Sequence, residues 1–312
     1  MKILKTLLIC LCLFSAAPSF SAKKDASVHE FYSAAQEASQ DSNWSEVIKN
    51  GKVVVTHYSD SPFAPEALFL LAVAYFETQE YEQANKCFTE YLKKQTTKDA
   101  FEQAIRYKFE IARNFEDGAK MHLMGWQYLP KLISAKDFAI EIYDEVIATL
   151  PRHELASEAL YRKASLLFEL EDFKPSIEAY QALIRRFPKH HRAPESYIGI
   201  AKVYLKQCET EFKDPDFLDL AEINMRKFEA DFPTEERLIE AKNMLLSMKE
   251  KYAGELFETG QFFERTKKAQ AAALYYHSIT TRYPETNAAA KAEKRLQKLS
   301  YTLPRIDEQA AS

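Results

Sequence analysis

Through most of the chain, apolar residues recur at i, i+3, i+4 and i+7, the spacing of amphipathic helices, while alternating runs of β-branched residues are rare. Leu68, Leu71, Ala72 and Tyr75 make one stripe and Ala84, Phe88 and Tyr91 a second, with Glu80-Tyr81 turning the chain between them. The arrangement returns at Leu160, Ala164 and Leu167, then Asp172-Phe173, then Ser176, Tyr180 and Leu183. Its Pro175 falls in a first helical turn, where the missing N–H costs little. Small residues let two helices approach and large ones fill the space between them, so each such unit reads as a helical hairpin.

The hairpins repeat. Leu150-Pro151, Phe187-Pro188, Phe232-Pro233 and Tyr283-Pro284 close successive units, with prolines 37, 45 and 51 residues apart. A tetratricopeptide (TPR) unit is about 34 residues long, so the longer intervals require added loops or extended helices. A first unit follows from Phe31, Ala34, Ala35 and Ala38, the turn Asn43-Trp44, then Val47, Gly51 and Val54; a third has Ile111, Ala112 and Phe115, then Phe138, Ala139 and Tyr143. Between the third unit's helices lies an insertion, residues 121–134. A fifth unit uses Tyr197, Ile200, Ala201 and Tyr204, with a polar insertion at Lys213-Asp214, and a sixth runs from Leu256 to Pro284. The pattern predicts an all-α, TPR-like helical-hairpin solenoid of five to six repeats, a capping helix over Ala288 to Leu299, and one domain over 22–300. Its N-terminal repeats span 22–190 and its C-terminal repeats 191–300, followed by a polar tail at 301–312. Hairpins of this kind bury their apolar faces only by stacking on neighbours.

The first residues change the setting of that fold. Lys2 and Lys5, the apolar run Leu7 to Phe14, and Ser19-Phe20-Ser21 read as a signal peptide over 1–21, which predicts a periplasmic or secreted protein. The apolar run is too short to span a bilayer, which takes about 20 residues. Cys87 and Cys208 are then the remaining cysteines, too few for a disulfide framework, and both are placed like core-facing residues. The net charge of -4, without a basic block, speaks against a nucleic-acid partner. Six glycines in 312 residues speak against a fold built on tight turns.

Catalytic and metal patterns fail on inspection. His153-Glu154 begins a zinc-helix motif whose second His is replaced by Ser157, and His29-Glu30 fails likewise at Ser33. His190-His191 reads as an inter-repeat turn rather than a metal site, and no residue set calls for a cofactor. An enzyme using the 121–134 insertion has His122 and Trp126 to offer, without a nucleophile or base partner. A binding groove is the sharper candidate. The face position after the first core residue of each unit gives Tyr32, Phe69, Phe109 and Tyr161, and one turn further gives Phe76 and Phe168, with Arg106 and Arg113 supplying charge. Such a ladder would take an extended, aromatic-bearing peptide whose carboxylate an Arg receives. The alternative is that these rings pack as ordinary core.

The chain resembles the BamD family, the TPR subunit of the outer-membrane β-barrel assembly machinery. The residues that carry the resemblance are Tyr58-Ser59-Asp60-Ser61-Pro62-Phe63-Ala64, Glu80-Tyr81-Glu82-Gln83-Ala84, Gly254-Glu255-Leu256, Phe262-Phe263, Ala271-Ala272-Ala273 and Tyr283-Pro284-Glu285-Thr286. The resemblance implies a non-enzymatic periplasmic scaffold, peripheral at the inner leaflet of the outer membrane. Its N-terminal repeats would receive unfolded outer-membrane proteins, and its C-terminal repeats would contact the barrel-inserting subunit, with Tyr275 and Arg282 of the last hairpin as docking residues. Tyr275 stands where the family tends to carry Arg. The family's members are lipoproteins, whereas Ile9 and Leu11 precede Cys10 and Cys12 here, where a lipidation signal needs a small residue. A second reading is a different periplasmic TPR adaptor, resembling the TolA-binding coordinator of envelope division, although Ala22 to Ser27 leaves no room for that family's coiled coil.

Overall fold

The computed structural model describes residues 27–94, 97–125, 127–210 and 215–300. The expected signal peptide with Cys10 and Cys12, the polar tail, Trp126 and the insertion at Lys213-Asp214 lie outside them.

Helices dominate, and contacts between them group into two compact units that divide the expected 22–300 stack between Ile111 and Ala112. The first unit contains α1 (Val28–Gln40), α2 (Trp44–His57), α3 (Ala64–Glu77), α4 (Tyr81–Leu92) and most of α5 (Lys98–Glu116). The second contains the end of α5, β1 (Lys120–His122), β2 (Lys131–Ser134), α6 (Lys136–Thr149), α7 (Glu154–Glu169), α8 (Phe173–Arg186), α9 (Arg192–Thr210), α10 (Pro215–Asp231), α11 (Leu238–Arg265), α12 (Ala269–Arg282) and α13 (Asn287–Ser300). Within each unit successive helices pack as hairpins: α1 on α2 and α3 on α4 in the first, α7 on α8 and α11 on α12 in the second.

Four of these hairpins turn through one backbone device. Ser42, Gln79, Glu171 and Lys267 take φ of 56°, 60°, 59° and 60° just past the first helix of a pair. The next N–H then reaches the carbonyl five residues back: Asn43 to Ala38 and Glu80 to Tyr75 at 2.8 Å, Asp172 to Leu167 and Lys268 to Phe263 at 2.9 Å. This is Schellman closure, which satisfies helix-end carbonyls that would otherwise be orphaned. At the other end of the repeat, Leu150, Phe187 and Tyr283 leave the helical basin, with φ of -122°, -132° and -133°. Each precedes a proline, whose ring disfavours the α conformation of the residue before it.

Ala35, Val47, Val54, Ala67, Ala72 and Phe88 are fully buried in the first unit. In the second, the stripes read from sequence meet as one core through Ala164, Tyr180, Ile200, Tyr204, Met248, Tyr252, Tyr276 and Ile279. Cys208 belongs to that core, and Cys87 of the first unit is half-buried with its thiol pushed up to about 12 by desolvation. Two close approaches depend on glycine. A Cβ on Gly199 of α9 would stand 2.4 Å from Cζ of Tyr180, and one on Gly260 of α11 would stand 2.6 Å from Cε1 of Tyr276. The 51-residue interval between Pro233 and Pro284 is taken up by α11, whose 28 residues pack their first half near α9 and α10 and their second half on α12. Helix α13 covers the end of the second unit's core through Ala288, Ala289, Ala292 and Leu299.

The described part of the 121–134 insertion holds no α-helix, only a short 3-10 turn at Leu123–Gly125 between two strands. β1 and β2 pair antiparallel, with Lys120 opposite Ser134, Met121 opposite Ile133 and a register irregularity after Met121. His122, the last residue of β1 and opposite Lys131, is buried.

Candidate functional site: an aromatic cleft in the first unit

A cleft of about 530 Å³ opens between α1, α3, α4 and the start of α5, lined by Tyr32, Gln36, Pro62, Pro65, Glu66, Phe69, Leu70, Tyr91, Thr97 and Ala100. Its aromatic walls are held from behind. Tyr32 stacks on Phe63 with centroids 5.0 Å apart and an interplanar angle of 22°. Phe69 meets Tyr91 at 5.1 Å, Phe88 at 5.7 Å and Tyr107 at 6.2 Å. Both Tyr32 and Phe69 stay half-buried, so one side of each ring is committed to packing and the other is available to the cleft. Desolvation, reinforced by the Glu66 carboxylate, raises the pKa of Tyr32 and Tyr91, which keeps both phenols protonated as hydrogen-bond donors.

The predicted ladder is brought together only in part. Tyr32 and Phe69 share the cleft. Phe76, two turns along α3 from Phe69, packs instead against Tyr107 at 5.2 Å and Tyr81 at 5.6 Å. Phe109 is 6% exposed and belongs to the core, so it offers no ring to a ligand. The physical reason is register: Ile105, Lys108, Phe109 and Ala112 form the buried stripe of α5, and Tyr107 is the ring that faces α3 and α4. Arg106 pairs with Glu102 at 2.8 Å, and Arg113 is half-buried beyond the division between the units. The cleft's one charged lining residue is therefore the acid Glu66. Pro62, Phe63 and Tyr107 were not singled out by the repeat register, which read Tyr91 as part of a core stripe. Pro62 and Phe63 lie in the Tyr58-to-Ala64 junction, where a proline-aromatic pair beside Tyr32 was the available signal.

In the second unit, Tyr161 lines a smaller cavity of about 250 Å³ with Phe168, Tyr180, Lys202 and Arg237. Its ring is covered by the Arg192 guanidinium at 4.4 Å. Arg192 also binds Glu158 at 3.0 Å and Glu195 at 2.5 Å, and Glu195 continues to Arg237 at 3.2 Å, which ties α7, α9 and the start of α11 together. These carboxylates hold the Arg192 guanidinium firmly protonated. Tyr275 stacks on Phe263 at 5.3 Å, and Arg282, seven residues on along α12, is exposed and lies 5.5 Å from the Tyr283 ring.

Glu158, His190 and His191 approach closely enough to suggest a metal site. The hydrogen bonds argue otherwise. His190 Nδ1 accepts from the Arg192 N–H at 3.2 Å, so Nε2 carries the proton and donates to Ser157 Oγ at 3.0 Å. No lone pair of the His190 ring remains for an ion, and Glu158 takes Arg192 on both oxygens with His191 Nε2 3.3 Å from one of them. His190 is an N-terminal cap of α9, and His153 plays the same part for α7 by accepting from the Leu155 N–H at 3.1 Å. Pro151-Arg152-His153 and Pro188-Lys189-His190 are thus one repeated junction.

Residues 24–107 match the model of the YfiO outer membrane lipoprotein family, and residues 158–190 match a tetratricopeptide repeat. This first segment, residues 24–107, is similar to the YfiO outer membrane lipoprotein family. The matched segment encloses the whole aromatic cleft, and this agrees with the BamD-like resemblance of the sequence. No curated protein sequence matches the chain. Among solved structures, a tetratricopeptide repeat protein from Parabacteroides merdae is 14% identical, covering 88% of this chain and 98% of its own, with a TM-score of 0.37. MamA from Desulfovibrio magneticus is 14% identical over 67% of this chain and 97% of its own, with a TM-score of 0.34. The apo form of RapI is 12% identical over 87% of this chain and 76% of its own, with a TM-score of 0.38.

Proposed function

We propose that the protein is a non-enzymatic scaffold in the assembly of outer-membrane β-barrel proteins, and that its first unit binds client segments through the aromatic cleft. What supports this reading is the coincidence of the YfiO-family segment, residues 24–107, with the cleft between Tyr32 and Ala100. An extended client would insert an aromatic side chain against Tyr32, Phe69 and Tyr91, where offset and edge-on ring contacts are favourable by about 0.5–1.5 kcal/mol per pair beyond area burial. Glu66 repels a carboxylate placed in the same cleft, so the client's C-terminal carboxylate stays outside it. The C-terminal repeats, with Tyr275 and Arg282 on α12, would meet the barrel-inserting subunit from the periplasmic side of the outer membrane.

Two measurements test this. Cross-linked capture of the tagged protein from its native envelope should recover the barrel-inserting subunit and unfolded barrel proteins; recovery of Tol-system proteins instead would favour the division-coordinator reading. Fluorescence anisotropy with a labelled peptide ending in an aromatic residue should show weaker binding to Phe69→Ala at unchanged helix content. Equal affinity for wild type and variant would remove the cleft from the proposal.

A further inference from the structure

The β1–β2 hairpin has no part in the cleft and is chemically unlike the rest of the chain. Residues 118–135 contain Lys120 and Lys131 and no acidic residue, in a chain whose net charge is -4; Lys136, at the start of α6, is paired with Glu169 at 2.9 Å. Apolar side chains crowd the same stretch. Tyr128 is 88% exposed, Leu132 61%, Leu123 39% and Ile133 38%, which makes four of the twelve large apolar side chains exposed among the described residues. The other eight are spread over the remaining helices and loops, where single exposed apolar residues are ordinary. A cluster of this density with local positive charge is not.

The geometry narrows what could cover it. Leu132 and Ile133 are adjacent on β2, and successive side chains of a strand point to opposite faces. A protein partner seated on one face would leave the other in water. Partial immersion in an apolar medium covers both, and a tyrosine at the tip with lysines nearer the base is the distribution that suits a lipid headgroup boundary.

We propose that the 120–134 hairpin is a membrane-docking element that seats Leu123, Tyr128, Leu132 and Ile133 in the headgroup region of an anionic phospholipid bilayer, with Lys120 against lipid phosphate. The basic charge selects anionic over zwitterionic lipid, since each lysine near such a surface contributes about fivefold in affinity. The element stands independently of the cleft: client binding and membrane docking can each fail without the other.

The test uses the full chain and reads the hairpin directly. Trp44 and Trp126 are the two tryptophans, so Trp44→Phe leaves a single reporter two residues before Tyr128 in the sequence. On phosphatidylcholine vesicles containing phosphatidylglycerol, its emission should shift to the blue and be quenched by bromine-labelled acyl chains; on pure phosphatidylcholine the response should be weak. Tyr128→Ser with Leu132→Ser should weaken anionic-vesicle binding by on the order of tenfold, and Lys120→Glu, a change at an exposed side chain, by about fivefold or more. Circular dichroism at unchanged helix content accompanies each variant. A silent reporter, equal response to both vesicle types, or full binding by Lys120→Glu and the double variant would overturn the proposal. So would variants that lose a protein partner while binding vesicles normally.

Discussion

Gly199→Ala is the sharpest probe of how the repeats are held together. Ordinarily Ala in a helix interior is favoured over Gly by about 1 kcal/mol. At Gly254, in α11, an added Cβ meets nothing within 4 Å, so Gly254→Ala should show that gain. At Gly199 the same methyl stands 2.4 Å, 2.6 Å and 2.8 Å from three atoms of the Tyr180 ring. That ring cannot swing aside: it is 4% exposed, its hydroxyl is bonded to Ser165 at 2.9 Å, and Tyr161 lies 5.8 Å away. Forcing a methyl into a packed site costs about 1–3 kcal/mol, so a net loss of up to about 2 kcal/mol remains for Gly199→Ala after the propensity gain. The two alanine variants should therefore differ by about 1–3 kcal/mol, read as urea midpoints followed by helix signal. Placing Gly199→Ala in a Tyr180→Leu background should remove the penalty, since the clash is with the ring. If Gly199→Ala proves as stable as Gly254→Ala, the helix–helix approach described for α8 and α9 is wrong.

Other outcomes are expected from the same structure. Desolvation, with the neighbouring His191 second, lowers the His190 pKa, so its neutral, capping form is favoured by folding; the resulting stability is present above the ordinary imidazole pKa near 6.5 and lost as pH falls from there through the lower folded-state pKa. His190→Ala should flatten that part of the stability-versus-pH curve, and an unchanged slope would refute the capping role. Gln79→Gly and Lys267→Gly place glycine at left-handed positions that cost other residues about 1–2 kcal/mol; after the entropy of an added glycine, each should be neutral to about 1 kcal/mol stabilising in thermal unfolding, whereas a clear loss would contradict the turn geometry. Tyr143 is fully buried and donates to Glu116, which also takes Arg162 at 3.2 Å. Tyr143→Phe should cost about 1.5–3 kcal/mol, the range for a hydrogen bond to a charged group.

The architecture was legible because it is periodic. The stripe at Leu68, Leu71, Ala72 and Tyr75 returns as buried positions of α3, and the stripe at Leu160, Ala164 and Leu167 returns in α7. The aromatic-proline pairs mark helix ends because the proline ring acts on the residue before it. The turns were less legible. Left-handed positions announce themselves when they carry Gly or Asn, and here they carry Ser42, Gln79, Glu171 and Lys267. Packing of the flanking helices imposes those conformations, and nothing local in the sequence records it.

The cleft lay between these extremes, and the reason bears on how such surfaces can be read at all. Core positions of a repeat are over-determined, since an apolar stripe that slips by one residue leaves the core. A groove position is fixed only relative to that stripe, and a broader buried face takes it into the core. A third unit anchored at Ile111 places Phe109 in the groove; Ile111, Ala112 and Phe115 are buried as that unit expects, but the buried face of α5 also takes in Ile105, Lys108 and Phe109, and Tyr107 is the ring that meets Phe69. On α1 and α3 the residues after Phe31 and Leu68 stay half-buried, which leaves Tyr32 and Phe69 at the cleft. The charge differs as well: Arg106 pairs with Glu102 of its own helix, and the acid Glu66, one turn before Phe69 on α3, lines the cleft. On the function we propose, the ligand preference of such a groove is therefore set by the residues one turn from its aromatic rings, and Glu66 would direct this one toward an aromatic side chain whose own carboxylate is elsewhere.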